Sequence, residues 1–239
     1  MARHSFEKLK DNVYSDLKAM GGTWMPANTK MFGAPSPMDG EAFSSWCWRT
    51  AIKFRVPVSA VKEMLGIHQN EFVVDASPLD IDLENITQLT GLSRPQLNSL
   101  IWATPHRYVR GFYNLTIHPP ATSSAGQPVV RYCETCLEND ETPYIRRAWR
   151  LLHVHVCPMH GSVLRSSCPH CTRDVSQIAR LRTNLKGSLR ECQFCREDLC
   201  AVDPVTIPAT LLDGFIADQL SCTRLLVSSR LCPWGIGFN

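Results

Sequence analysis

Cys133-Glu134-Thr135-Cys136, Cys157-Pro158-Met159-His160, Cys168-Pro169-His170-Cys171 and Cys192-Gln193-Phe194-Cys195 fall within one 63-residue stretch. Each pair is short enough to close on a single metal ion, and two pairs complete a tetrahedral shell of thiolate and imidazole ligands. Twenty residues separate Cys136 from Cys157, and twenty again separate Cys171 from Cys192. The repeat predicts two tandem zinc ribbons: Cys133, Cys136, Cys157 and His160 on the first ion, and Cys168, Cys171, Cys192 and Cys195 on the second. The expected cofactor is therefore Zn2+, two ions per chain.

Competing uses of these cysteines are weighed by motif. No Cys-x-x-Cys is followed by His, which removes c-type haem attachment. Met1 to Lys30 has no apolar core behind a basic start, so nothing marks export, and reduced thiols with metal are favoured over a disulfide framework. A catalytic zinc keeps one coordination position open, whereas both sites here can be filled by protein. His-Glu-x-x-His, a His-x-Glu before the cysteine pairs and a Gly-x-x-x-x-Gly-Lys phosphate loop are all absent. A non-catalytic protein is expected.

With 239 residues, 44% of them hydrophobic, and no apolar run near twenty, the chain is expected to form one to two small domains without a membrane span. The net charge of +3 hides an uneven distribution. Tyr144 to Arg190 carries nine Lys and Arg against the single acid Asp174, while the flanks are mildly acidic. A basic stretch suggests phosphate contacts. Four thiolates on zinc leave −2 and three leave −1, so part of this charge can neutralise sulfur instead. The candidate DNA contacts are Arg146, Arg147, Arg180, Arg182 and Lys186, together with Arg94. Arg150, beside Trp149, is set aside as equally suited to a structural role.

The fold class expected is α+β but mainly helical, an N-terminal helix-turn-helix domain followed by the two ribbons. Residues 1–38 read as an extension, with a helix over Phe6 to Met20 and a Gly/Pro linker. Residues 39–130 form the helical domain, 131–200 the ribbons and 201–239 a tail with a helix over Ala209 to Leu220. Asp39 or Gly40 is expected to cap a helix bearing Phe43, Trp46, Cys47 and Ile52 and bounded by Pro57; a second runs from Ser59 to Leu65, ended by Gly66. Asp82 to Thr90, Gly91, and then Ser93 leading into Arg94 to Ile101 give a helix, a turn and a capped helix. Gln96, Asn98 and Ser99 on the last of these could contact bases or simply be solvated. Trp46, Trp48, Trp102 and Trp149 are expected in hydrophobic cores.

Several runs resemble one family. They are Pro35-Ser36-Pro37-Met38-Asp39-Gly40-Glu41-Ala42-Phe43-Ser44-Ser45-Trp46 with Arg49, Tyr132 to Leu137, Pro143 to Arg146, Trp149 to Leu151, Cys157 to Gly161 and Cys168 to Cys171. Together they resemble the TniQ family of bacterial transposition proteins, over about residues 35 to 200. The resemblance implies a cytoplasmic, non-catalytic adaptor for target-site selection. It would link target DNA or a CRISPR effector complex to an AAA+ transposition regulator; a homodimer is compatible with that role. Glu134 stands where the family's first knuckle often has Pro. Two other classes share parts of the pattern. A DNA-binding transcription factor would use the same helices and ribbons. A RING-like ubiquitin-ligase module has the same ligand order, but pairs first with third and second with fourth, and leaves two or three residues where seven separate His160 from Cys168.

Overall fold

The computed structural model describes residues 31, 33–67, 75, 81–101, 130–151, 153–175, 187–192 and 194–228. The expected helix over Phe6 to Met20, Trp102, and the cations Arg180, Arg182 and Lys186 lie outside the described residues. Helix α1, Phe43–Phe54, buries Phe43, Trp46, Cys47, Trp48 and Ala51. Its N-cap is Ala42, not Asp39 or Gly40, and Ala42 has no side chain to offer the first amides. The cap comes from 31 residues away: the Asp75 carboxylate accepts from the Ser44 amide at 2.8 Å and from the Ser44 hydroxyl at 2.6 Å. A carboxylate there answers both the orphan amides and the positive end of the helix. Pro57, expected to bound α1, is the N-cap of α2, Val58–Met64.

Helix α3, Leu83–Thr90, starts at Asp82, whose side chain accepts from the Asn85 amide, and ends at Gly91 with φ 74°. Helix α4, Arg94–Ser99, starts in a reciprocal capping box between Ser93 and Gln96 with Pro95 in its first turn. The box satisfies two amides at once, worth about 1 kcal/mol for the Ser alone. Ile86, Leu97 and Leu100 are fully buried between these elements. Gln96 is thereby committed: its Oε1 accepts from the Ser93 amide at 2.8 Å and the Ser93 hydroxyl at 2.9 Å. Ser99 likewise donates back to the Gln96 carbonyl at 2.7 Å. Of the three polar side chains that could read bases, Asn98 is the one exposed with no such local bond.

The resembling run at the start of α1 does structural work with the metal region. Glu41 bridges Arg146 in antiparallel register. Ala42 donates to the Ile145 carbonyl at 3.0 Å, Arg147 to the Gly40 carbonyl at 2.7 Å, and the Ile145 amide to the Ser45 hydroxyl at 3.0 Å. Trp46 donates its indole N–H to the Pro35 carbonyl at 2.8 Å. Fully buried Glu41 accepts from the Met38 amide, the Ser45 hydroxyl and, at 2.6 Å, from Arg49. The motif residues are thus an interlock that fixes α1 against residues a hundred positions later. One buried apolar cluster runs from Met31 through Leu199, so the helices and the metal region share a core. Among the described residues the ribbons' expected β structure is reduced to isolated antiparallel bridges. An ion shared by two ligand pairs would tie one turn to the next without a longer ladder.

Candidate metal centres

The eight predicted ligands come together in two groups of four. Cys133, Cys136, Cys157 and His160 form one and Cys168, Cys171, Cys192 and Cys195 the other, each with its ligand atoms within 4.8 Å of one another. The grouping is sequential. A cross-braced arrangement would unite Cys133 with Cys168, so the RING-like alternative does not describe this fold.

Distances support coordination by one ion. In the first centre Cys136 Sγ lies 3.6 Å from Cys157 Sγ, and His160 Nδ1 lies 3.6, 3.3 and 3.6 Å from Cys133, Cys136 and Cys157. In the second, Cys168–Cys195 and Cys171–Cys192 are each 3.6 Å apart. A tetrahedron with Zn–S about 2.3 Å and Zn–N about 2.0 Å has S–S edges of about 3.8 Å and S–N edges of about 3.5 Å. A disulfide would need about 2.05 Å. The donor set therefore suits two zinc ions, with His160 presenting Nδ1.

Three of the four pairs share one local geometry. In each, the first cysteine's carbonyl accepts from the residue after the second ligand: Gly161 on Cys157 at 2.8 Å, Thr172 on Cys168 at 2.9 Å, Arg196 on Cys192 at 2.8 Å. That residue has positive φ, at 64°, 58° and 70°. The first cysteine's amide then donates across the hairpin to Ser162, Arg173 or Glu197. Bridges Val156–Val163, Ser167–Asp174 and Glu191–Asp198 clamp the three hairpins in the same register. Such a knuckle turns cysteine sulfurs inward while amides point at them.

The first pair departs from the ribbon expectation. Cys133 is the N-cap of helix α5, Glu134–Asn139, and its sulfur accepts from the Cys136 amide. The first centre thus combines a helix start with one knuckle. Glu134 occupies the first helical position, where Pro is also well tolerated because that amide needs no intrahelical partner. Here it is buried and paired with Arg165, whose backbone bridges Tyr132.

Electrostatics give the first centre a reason to hold a cation. Hydrogen bonds from the Cys136 and Cys157 thiols and the Ser162 hydroxyl push the Cys133 thiol far below its ordinary pKa. The same sharing, with burial, drives Cys136 and Cys157 up. Three thiolates this close require an added positive charge. In the second centre burial raises Cys168 and Cys192, while against burial the Arg173 amide and neighbouring thiols hold Cys171 at about 7.

The basic residues divide. Burial disfavours the Arg146 charge, yet Asp140, through Nη bonds of 2.8 and 3.0 Å, and the Cys136 sulfur raise its pKa overall. Its guanidinium also stacks 4.4 Å from the Tyr144 ring and 4.9 Å from Trp149. Arg147 donates to the Ser99 and Ile101 carbonyls at 2.8 and 2.7 Å. Arg150 is buried and pairs with Asp75 at 3.3 Å. Arg94 is exposed and only 3.9 Å from Glu84.

Two residues that build the site were not found from the sequence. Ser162, fully buried, places Oγ 3.0 Å from Cys133 Sγ. Gln219, on the C-terminal helix α6, Ala209–Ser228, accepts from the His155 and Val156 amides at 2.7 and 2.8 Å and donates to the Val156 carbonyl at 3.0 Å. Its carboxamide imitates a paired strand against the arm of the first knuckle. Neither residue belongs to a ligand pattern, which is why spacing alone does not reveal it.

Gly161 is where α6 meets this knuckle. A Cβ there would lie 2.9 Å from Leu212 Cδ2, and φ is 64°. Gly161→Ala is expected to cost about 1–3 kcal/mol, combining left-handed strain with overpacking. Adding Leu212→Ala should not restore wild-type stability, because the strain persists; urea denaturation of the four proteins checks it.

Among known proteins, no curated protein matches the chain. The TniQ family model matches residues 33–164, more than half of the 239 residues. That match covers the interlock and the first centre and stops before Cys168, short of the extent read from sequence. On that match the chain belongs to the TniQ family.

Proposed function

We propose that this chain is a non-catalytic, zinc-stiffened adaptor in DNA transposition target selection. It links target DNA or a CRISPR effector complex to an AAA+ transposition regulator. The observation that carries the reading is the pair of four-ligand centres, each of which protein side chains can fill completely, inside a family of transposition proteins. A closed tetrahedral shell leaves no position for water or substrate, so the ions hold surfaces in place. The helix pair α3–α4 and the ribbons are the surfaces on offer.

DNA contact is proposed through exposed Arg94 and through Arg180, Arg182 and Lys186, with Arg146 and Arg147 also fulfilling internal roles. Charge reversal of Arg180, Arg182 and Lys186 together should weaken DNA association several-fold and flatten its salt dependence without sequence preference. Reversal of Arg146 should instead lower stability by about 2–4 kcal/mol, since it removes a hydrogen-bonded counter-charge to Asp140 and Cys136. Fluorescence anisotropy at several salt concentrations, with thermal melts of each variant, separates the two effects.

The adaptor role is tested by co-purification with an AAA+ transposition regulator, with and without a non-hydrolysable ATP analogue, and by a transposition assay lacking this chain. Binding in at least one nucleotide state, with target choice altered in the chain's absence, is the expected result. Failure of binding in every state with unchanged target choice overturns it. Protection of one specific DNA site with no regulator binding would favour a transcription factor.

A further inference from the structure

The three knuckles treat their sulfurs alike. Each cysteine in them receives the backbone amide two residues further on: Met159 to Cys157, His170 to Cys168, Arg173 to Cys171, Phe194 to Cys192 and Glu197 to Cys195. The pair at the start of α5 cannot repeat this. Glu138, two residues after Cys136, lies inside the helix, where amides run along the axis to earlier carbonyls. Cys133 instead receives the Cys136 amide at 3.4 Å, and Cys136 is answered by the charge of Arg146.

Ser162 adds a donor of a different kind, its Oγ standing 3.0 Å from Cys133 Sγ. It follows His160 by two residues, the register position that Arg173 and Glu197 hold after Cys171 and Cys195. In the second centre that position gives its amide to a sulfur and leaves its side chain exposed. In the first, the preceding ligand is an imidazole nitrogen, which needs no amide once it binds a metal, and the side chain is buried beside the helix-start cysteine. A thiolate on a metal has no proton to share, so in the metal-holding state the hydroxyl is the donor. Ser162 and Cys133 are both 0% exposed, so water cannot take over that bond if the hydroxyl is lost. Cys171 and Cys195 are half-exposed, and solvent can reach them.

We propose that Ser162 is a positioning residue for the first metal centre: its hydroxyl donates to the Cys133 thiolate, holds that sulfur in the ligand tetrahedron and sets how tightly the centre retains zinc. The proposal rests on the assignment of zinc to that centre.

The test uses the full chain, wild type and Ser162→Ala, loaded with zinc and titrated with a chromophoric chelator. Ser162→Ala should weaken one of the two sites about tenfold or more, the usual cost of removing a partner of a metal ligand. The other site should be unchanged, which makes the second centre an internal reference. Cobalt(II) then replaces zinc in a Cys171→Ser background, where the first centre alone is read. Adding Ser162→Ala should move the thiolate-to-cobalt absorption to lower energy, because a sulfur freed of a hydrogen bond gives up electron density more readily. The same shift should appear in the difference spectrum of the two-cobalt proteins, with Cys171 intact. Unchanged affinity at both sites overturns the proposal. Equal weakening of both sites also overturns it, as general destabilisation. Weakening at one site with an unmoved cobalt absorption overturns it too, since Ser162 would then only hold its hairpin. Wild-type protein that takes up metal in the second centre alone overturns it together with the first zinc assignment.

Discussion

Stripping metal from this chain is expected to abolish its cooperative fold. A structural zinc site of this type contributes on the order of 10–16 kcal/mol of apparent binding energy at neutral pH, comparable to or larger than the whole stability of a typical domain. The purified protein should carry two zinc ions per chain, and each centre should be separable. Cys136→Ser removes one ion, and Cys171→Ser removes the other. The consequences should differ in reach. All three cysteines of the first centre are buried, and its knuckle arm is bonded to α6, whereas Cys171 and Cys195 of the second are half-exposed. Cys136→Ser should therefore speed amide exchange of Tyr132, Arg165 and Gly161 and release α6. Cys171→Ser should act mainly on residues 168–175 and 187–199. Metal analysis by mass spectrometry with residue-level hydrogen exchange checks both. A stoichiometry near one, or melting unchanged by a chelator, would defeat the assignment.

The second large effect is expected far from either ion. Asp75→Ala should cost about 3–5 kcal/mol, because it leaves the Arg150 charge buried without its carboxylate and removes the cap of α1 together. Arg150 and Asp75 are both almost fully buried, and the carboxylate serves the Ser44 amide and hydroxyl as well as the guanidinium. Asp75→Asn should cost less, since an amide oxygen can still accept from Ser44. Arg150→Met in the Asp75→Asn background should recover part of the loss, since no buried charge then lacks a partner. Zinc content should be unchanged in all three. Urea denaturation of the single and double variants measures the coupling, and additive effects would show that the pair does not act as a unit.

These two results bear on how the fold is encoded. The ligands and their grouping were legible because a metal knuckle is a local object: four residues set the bite, and equal twenty-residue intervals set the partners. The capped helices α3 and α4 were legible for the same reason, since Asp82, Gly91, Ser93 and Pro95 act within a few positions of themselves. The start of α1 was not. Its sequence offers Asp39 and Gly40 nearby, but the carboxylate that caps it is Asp75.

Charge shows the same division. Nine cations between Tyr144 and Arg190 can be counted from the sequence, but counting does not say which face solvent. Arg146 lies between Asp140 and the Cys136 sulfur, Arg147 reaches the carbonyls at the end of α4, and Arg150 is enclosed with Asp75. Each of these depends on chain segments meeting across tens of residues. The sequence by itself determined the family, the two ligand sets and the local turns, because each rests on covalent neighbours and fixed spacing. Only the tertiary structure decided that Cys133 caps a helix while the other pairs form knuckles, that the interlock motif joins α1 to Ile145, and that Gln219 of α6 pairs with the arm of the first knuckle. Burial and long-range hydrogen bonding are properties of the packed chain, and no spacing rule encodes which distant residue will supply them.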